Sequence, residues 1–159
     1  MDWSALRRLV APVLIVTLLM GLAAPSAMAL PQNPTRIYGE WAVDTPSSSE
    51  MVVSQESDRL IVEWESFSIG SGESVHFDQA PHQIALNRVT GGSLSEIAGS
   101  LSAGGQVFLV NPAGVVFGEN AYVEVGGLLA TSLDLSDSDF LAGRYRFTGP
   151  GDLDSSVVN

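Results

Sequence analysis

Cysteine and lysine are both missing from this chain of 159 residues. Without cysteine there is no disulfide framework of the kind that braces many small secreted domains, so the fold must rest on apolar burial and a backbone ladder. The same absence leaves the chain free of closed covalent loops, as passage through a narrow pore requires. Basic charge is scarce in general: 7 arginines stand against 18 acidic residues, for a formal charge of −11. Nucleic acid and anionic membrane surfaces both need a cationic footprint, so neither is expected as a partner. Histidine is limited to His76 and His82, which lie close together in HFDQAPH; a metal pair is one reading, and two loop residues with no shared task is the other. Phosphate loops, Gly-x-Ser-x-Gly elbows, His-Glu-x-x-His helices and Asp-rich calcium loops do not occur. No metal and no cofactor is expected.

What the chain does have begins with a leader. Met1 to Arg8 carries Arg7 and Arg8, Leu9 to Ala24 is mostly apolar, and Ala27-Met28-Ala29 supplies a small-x-small cleavage pattern. Cleavage after Ala29 would make Leu30 the mature N-terminus, dividing the chain into a signal peptide over 1–29 and one domain over 30–159. An uncleaved anchor is the alternative, but the run is short for a span and contains Pro12. Leu9, Val10 and Ala11 after the paired arginines match a twin-arginine signal weakly, so the general export translocon is the expected route. Loss of Asp2, Arg7 and Arg8 takes the count to 17 acids and 5 bases, a net −12.

The mature part reads as all-β. Ile37 to Val43 is a candidate first strand with Ile37, Trp41 and Val43 on its buried side, and Asp44 to Glu50 reads as a polar connector. Further strands are expected over Arg59 to Trp64, Val75 to Phe77 and Ile84 to Val89. Ser93 to Leu101 reads two ways. Ser93 and Glu96 make a capping-box pattern with Leu94, Ile97 and Leu101 on a helical face. As a strand, it would place Ser95, Ile97, Gly99 and Leu101 on one side. Gly99 is poor in a helix interior, which favours the strand.

From Gln106 onward short apolar runs alternate with Gly/Asn turns: Val107 to Val110, Val115 to Phe117, Tyr122 to Val125, and Leu128 to Thr131 after Gly126-Gly127. Val107, Val115 and Val123 recur at a spacing of eight. The turn between the first two runs is Asn111-Pro112-Ala113-Gly114, with Asn, Pro and Gly where a type I turn favours them. Such patterns suit a sandwich or a parallel β-solenoid. Val107-Phe108-Leu109-Val110 is apolar without interruption, as expected of a strand covered on both faces, and this favours the solenoid. An open stack needs a cap or further coils over its last rung, and the chain reaches Val157-Val158-Asn159 without a closing motif. The expectation is the first part of a longer protein, or a shortened relative.

Carboxylates are numerous enough for acid–base hydrolysis, and Glu63 with Glu65, or Asp137 with Asp139, share a side of the chain. In so acidic a protein such pairs arise by chance and usually face solvent, and an acidic-polysaccharide lyase would want more cationic clamps than five arginines. The chain is therefore not expected to be an enzyme.

Several blocks, taken in order, resemble the filamentous-haemagglutinin-type N-terminal secretion domain, the TPS domain of two-partner secretion exoproteins. They are WESFSIG (64–70) with Val75-His76-Phe77; IALNRVTG (84–91), including Asn87, Arg88 and Gly91; SEIAGSL (95–101), including Ile97 and Gly99; GQVFLVNPAGVVFG (105–118), including Phe108, Phe117 and Gly118; and VGGLLATSL (125–133). The similarity spans about residues 36 to 148. It implies a right-handed parallel β-helix with an N-terminal cap and extra-helical strands. It also implies export to the periplasm, recognition there by POTRA domains of an outer-membrane TpsB-type transporter, and a final place at the surface or outside a Gram-negative-type cell. In the family an Asn-Pro-Asn-Gly turn matters for secretion; it maps onto Asn111, Pro112, Ala113 and Gly114, with Ala113 at the third place. Family members usually carry a long adhesin, haemolysin or toxin passenger, which 30–159 is expected to lack. A free-standing β-helical adhesin or matrix protein, and less so a glycan-cleaving enzyme, remain the alternatives.

Overall fold

Apolar and polar side chains alternate along most of the strands, and the exceptions mark where both faces are covered. The computed structural model describes residues 29–149 and 157–158; residues 1–28, on which the expected leader and Ala27 of its cleavage pattern fall, lie outside the described residues. The elements in order are β1 (Thr35–Tyr38), β2 (Trp41–Ser47), β3 (Glu50–Gln55), β4 (Arg59–Trp64), β5 (Ser74–Asp78), β6 (Ile84–Val89) and β7 (Ser95–Ile97). They continue with β8 (Ser100–Val110), β9 (Val115–Phe117), β10 (Tyr122–Thr131), β11 (Asp134–Leu135), α1 (Asp137–Leu141), β12 (Phe147–Thr148) and β13 (Val157–Val158).

From β3 the chain winds as a parallel solenoid of about four turns with three faces. On the first face Glu50, Ser74, Ser100 and Tyr122 lie side by side, through β3, β5 and the first halves of β8 and β10. On the second, Arg59, Ile84, Gln106 and Gly127 align through β4, β6 and the second halves of β8 and β10. On the third, Ile69, Ile97 and Phe117 align, and β13 extends β9. One turn of the coil therefore takes between 21 and 26 residues on the first two faces. The eight-residue spacing of Val107, Val115 and Val123 is the length of one face with its corner. These valines pair with Ala85, Ser95 and Leu101 and never with one another.

The prism is filled from all three faces by Leu60, Val62, Trp64, Phe67, Ile69, Val75, Phe77, Ile97, Leu101, Val107, Leu109 and Val115, each at most 1% exposed. Trp64 packs edge-on against Trp41 and Phe67, with centroids 6.1 and 5.5 Å away. A second cluster lies outside the prism, on the outer side of the second face. There Ile61, Leu86, Phe108 and Val110 are covered by Leu135 and Phe140 of β11 and α1. This accounts for the uninterrupted run at 107–110: Val107 and Leu109 point into the coil, while Phe108 and Val110 point under the extra-helical segment.

The first turn is closed by antiparallel pairing, which protects the edge that a solenoid would otherwise present. β2 pairs with β3, β1 with β4, and Gln32 bridges Ser66. Several expectations change here. Ile37 to Val43 is two strands, separated where Gly39 takes φ +95°, and Ile37 is 43% exposed. Asp44 to Glu50 is no mere connector, since β2 runs to Ser47 and the hairpin closes at Ser47–Glu50. Its polar sequence reflects a strand end with water on both sides, since Asp44 to Ser47 are all exposed. Ser93 to Leu101 is extended and not helical, but as parts of two strands: β7 ends at Ile97, the chain turns a corner at Ala98–Gly99, and β8 begins at Ser100, with Ser95, Ile97, Gly99 and Leu101 all buried. Gly126-Gly127 does not divide two strands; β10 passes through it with a shift of register. The helix α1 was not expected. Its five residues are too few to show periodicity, and its start is set by Ser136, whose Oγ accepts the Asp139 N–H.

Candidate recognition turn and its supporting corners

Asn111, Pro112, Ala113 and Gly114 make a tight turn from the second face to the third. The Gly114 N–H donates to the Asn111 carbonyl at 2.8 Å, and the Ala113 N–H to Asn111 Oδ1 at 2.9 Å. Gly114 takes φ +105°, a conformation L side chains rarely adopt. Pro112 is exposed and Ala113 partly so, but Asn111 is fully buried. Its Nδ2 donates to the Ser93 carbonyl at 2.8 Å and to Ser95 Oγ at 2.9 Å, so the turn is tied to the corner one coil earlier. The surface this turn offers is Pro112 and Ala113; the Asn111 side chain is a clamp between coils.

The other residues carrying the family resemblance are spread along the prism. Asn87 points inward and is fully buried, accepting Trp64 Nε1–H at 3.0 Å and donating to the Phe108 carbonyl at 3.3 Å. Ile97 is buried in the prism, Phe117 packs partly buried against it, and Phe108 belongs to the outer cluster. Gly91 and Gly99 sit at corners where coils touch through their backbones. A Cβ on Gly91 would overlap the Glu65 carbonyl, and one on Gly99 the carbonyls of Gly70 and Glu73. Gly118 differs, since its nearest neighbours would be Ala98 atoms at an ordinary 3.5 Å. Ala29 is half-buried and Leu30 is 5% exposed, both beside the corner at Glu73.

Arg88 faces outward, opposite Asn87 in sense. Its guanidinium reaches Asp137 at 2.8 Å, Asp134 at 3.0 Å, Glu63 at 3.5 Å and the Leu135 carbonyl at 2.7 Å. Burial pulls its pKa down, but the hydrogen bond and charge of Asp137 and the charge of Asp134 push harder, leaving it above the ordinary value. A base with a raised pKa holds its proton throughout the acid and neutral range, so the titration of Arg88 itself adds no pH dependence there. Together with Arg59, whose guanidinium lies 5.2 Å from the Phe140 ring centre, it pins the extra-helical segment over the outer cluster. Arg88→Gln leaves three partly exposed carboxylates around a neutral amide and is expected to cost about 1–2 kcal/mol. Hydrogen exchange should show lost protection at Leu135 and Phe140 while Leu60 and Leu109 keep theirs; unchanged protection would remove the latch role.

The carboxylates considered for catalysis are held in similar ways. Glu63 and Asp137 pair with Arg88, Asp139 with Arg144, and Glu65 takes the Asn33 amide. His76 Nδ1 lies 2.8 Å from Ser102 Oγ on the outer side of the first face, and His82 pairs with Asp58 at another corner. The histidines therefore do not converge. Among the described residues no group of three or more His, Asp or Glu is placed to hold a metal. Sequence reasoning missed Glu73 and the Ser93–Ser95 end of the Asn111 clamp. Ser95 was legible only as an inward position in the strand reading, and nothing in the sequence distinguishes Glu73 from the solvated acids.

The capped solenoid, its extra-helical cover and the corner at 111–114 define a β-helical secretion domain. Residues 32–157 match the family described as TPS secretion domain, and the chain belongs to it. It is 37% identical over 137 residues to a heme/hemopexin-binding protein of Haemophilus influenzae, a match covering 86% of this chain and 15% of that protein. A protein of the same name from Haemophilus influenzae strain ATCC 51907 / DSM 11121 / KW20 / Rd is 40% identical over 124 residues, covering 77% and 14%. The chain thus spans about one-seventh of the length of these relatives. The crystal structure of the HMW1 secretion domain from Haemophilus influenzae superposes with a TM-score of 0.72 at 26% identity, over 80% of this chain and 36% of that one. The family is a secretion domain of two-partner exoproteins and not an enzyme family, and its members are secreted or reach the cell surface.

Proposed function

We propose that this domain is the address by which an exoprotein engages the POTRA domains of an outer-membrane TpsB-type transporter. A leader over 1–29 would first carry it through the general translocon to the periplasm. The observation that carries this reading is the family match across residues 32–157, nearly all of the chain after the leader. The fold suits the task physically. Its strands pair between coils, so each coil forms on the one before it, and no covalent cross-link prevents the chain from crossing a pore unfolded.

Asn111 is buried once the coils close, so a transporter that reads its side chain must do so before folding. In that state strand-forming segments can add to exposed POTRA sheet edges, where backbone pairing supplies affinity and side-chain pockets supply selection. Folding outside then draws the chain outward without nucleotide hydrolysis. Expected from this is capture of the Leu30–Asn159 chain by the POTRA region of its cognate transporter under mildly denaturing conditions, and weaker capture once the chain is folded. No capture in either state would defeat the reading. The names of the relatives point to haem or a haem carrier as the ligand of the longer exported protein; binding of either by a full-length exoprotein, and not by this domain alone, is the corresponding expectation.

A further inference from the structure

Glu73 is a buried carboxylate, 8% exposed, and among the described residues no cation is paired with it. Four arginines are engaged elsewhere: Arg36 with Glu40, Arg59 on Phe140, Arg88 with its three carboxylates and Arg144 with Asp139. The carboxylate accepts the Gly70 N–H at 2.7 Å and the Ala29 N–H at 2.9 and 3.2 Å through its two oxygens. A charge so enclosed is costly unless an opposite charge or a full set of donors meets it.

We propose that Glu73 is the docking point for the mature N-terminus. The inference rests on reading 1–29 as a leader cleaved after Ala29. Hydrolysis of the Ala29–Leu30 amide adds one water: Ala29 leaves with a carboxylate, and the Leu30 nitrogen takes up a proton to become an ammonium. In one step Glu73 loses one of its donors and a cation appears one residue along. One residue spans about 3.6 Å at most, a gap that small rotations of Glu73 and the new terminus can close. The approach is already arranged. Leu30 is 5% exposed, Gln32 Nε2 donates to its carbonyl at 2.7 Å, and Gln32 is tied to Ser66 through the backbone. The other charged groups near this corner are Glu65, held by Asn33, and Glu96, whose carbonyl accepts the Ile69 N–H. Both are acids and favour an ammonium. Because Leu30 and Pro31 are buried in the closed cap, cleavage precedes cap closure, and closure is completed by the terminus that cleavage creates.

The test uses the full mature chain, Leu30 to Asn159, with a free or an acetylated N-terminus, each with and without Glu73→Gln. Acetylation is expected to lower Tm by about 4 °C in the unsubstituted chain and by less than about 1 °C in the Glu73→Gln variant. NMR titration should place the Leu30 ammonium pKa above the ordinary range of about 7.7–8.0 with Glu73 present, and within it in the Glu73→Gln variant. Equal effects of acetylation in both backgrounds, or an ordinary ammonium pKa, overturn the proposal. Should Glu73→Gln fail to fold, the acetylation shift and the pKa in the unsubstituted chain still decide it. Mass spectrometry of the exported chain tests the leader reading separately. A start at Leu30 supports it; any other start overturns the cleavage site, and the docking with it, whatever the purified chain does.

Discussion

Asn111→Asp is expected to lower the stability of the domain by about 3 kcal/mol and to abolish export, although the two side chains differ by little in size. The reason is the direction of the hydrogen bonds. Nδ2 donates to the Ser93 carbonyl and to Ser95 Oγ; an aspartate oxygen in its place sets acceptor against acceptor at Ser93 and puts a charge where nothing is exposed. Ser95 can turn its hydroxyl to donate, and the Ala113 N–H still reaches the other oxygen, so part of the network survives. Denaturant unfolding of the purified domain and the fraction exported from cells with the cognate transporter measure the two effects. Pro112→Ala and Ala113→Asn touch the outer part of the same turn and should stay within about 0.5 kcal/mol of the parent. If those exposed variants lose POTRA capture at unchanged stability, the turn surface is read directly. A stable, exported Asn111→Asp chain would mean that the clamp is not needed at all.

Gly99→Val should be more damaging to the fold, at about 3 kcal/mol or more, whereas Gly118→Ala should change stability by no more than about 0.5 kcal/mol. Both glycines belong to the resemblance, and from sequence they carry equal weight. They differ in what stands opposite. At Gly99 a Cβ would overlap the carbonyls of Gly70 and Glu73, backbone atoms that cannot turn aside, with Ile69 Cγ2 at 2.8 Å. Relief would require the first and second coils to separate at that corner, just where Ile69 bridges Ile97. Gly118 faces Ala98 at van der Waals distance and can accept a methyl group. Thermal unfolding of the two variants checks this, and a well-folded Gly99→Val would show that the coils do not meet through their backbones there.

Much of the solenoid was readable from the chain alone. The run Val107-Phe108-Leu109-Val110 carries two-sided burial in its composition, since alternation is lost only where water touches neither face. The Asn111 turn was readable because Asn, Pro and Gly each have a local backbone reason to occupy their positions. The cap hairpin was not. Asp44 to Ser47 form the end of a strand that meets solvent on both sides, so their composition is that of a loop, and only pairing with β3 makes them extended. Glu73 shows the same limit at a single residue. Its side chain is that of an exposed acid, and its burial follows from the cap closing over the Gly70 corner.

Local chemistry along the chain thus accounts for the strands, the places where they turn and the absence of covalent bracing, because each depends on a residue and its near neighbours. Which strand lies beside which, that a repeat of eight is one wall and not a stack, and which acid, asparagine or glycine bears on another coil were decided only in three dimensions. The parallel pairings join residues 20 or more positions apart through a backbone ladder that is nearly blind to side-chain identity, and the Asn111 clamp reaches 16 and 18 positions back, so no short stretch of sequence contains them.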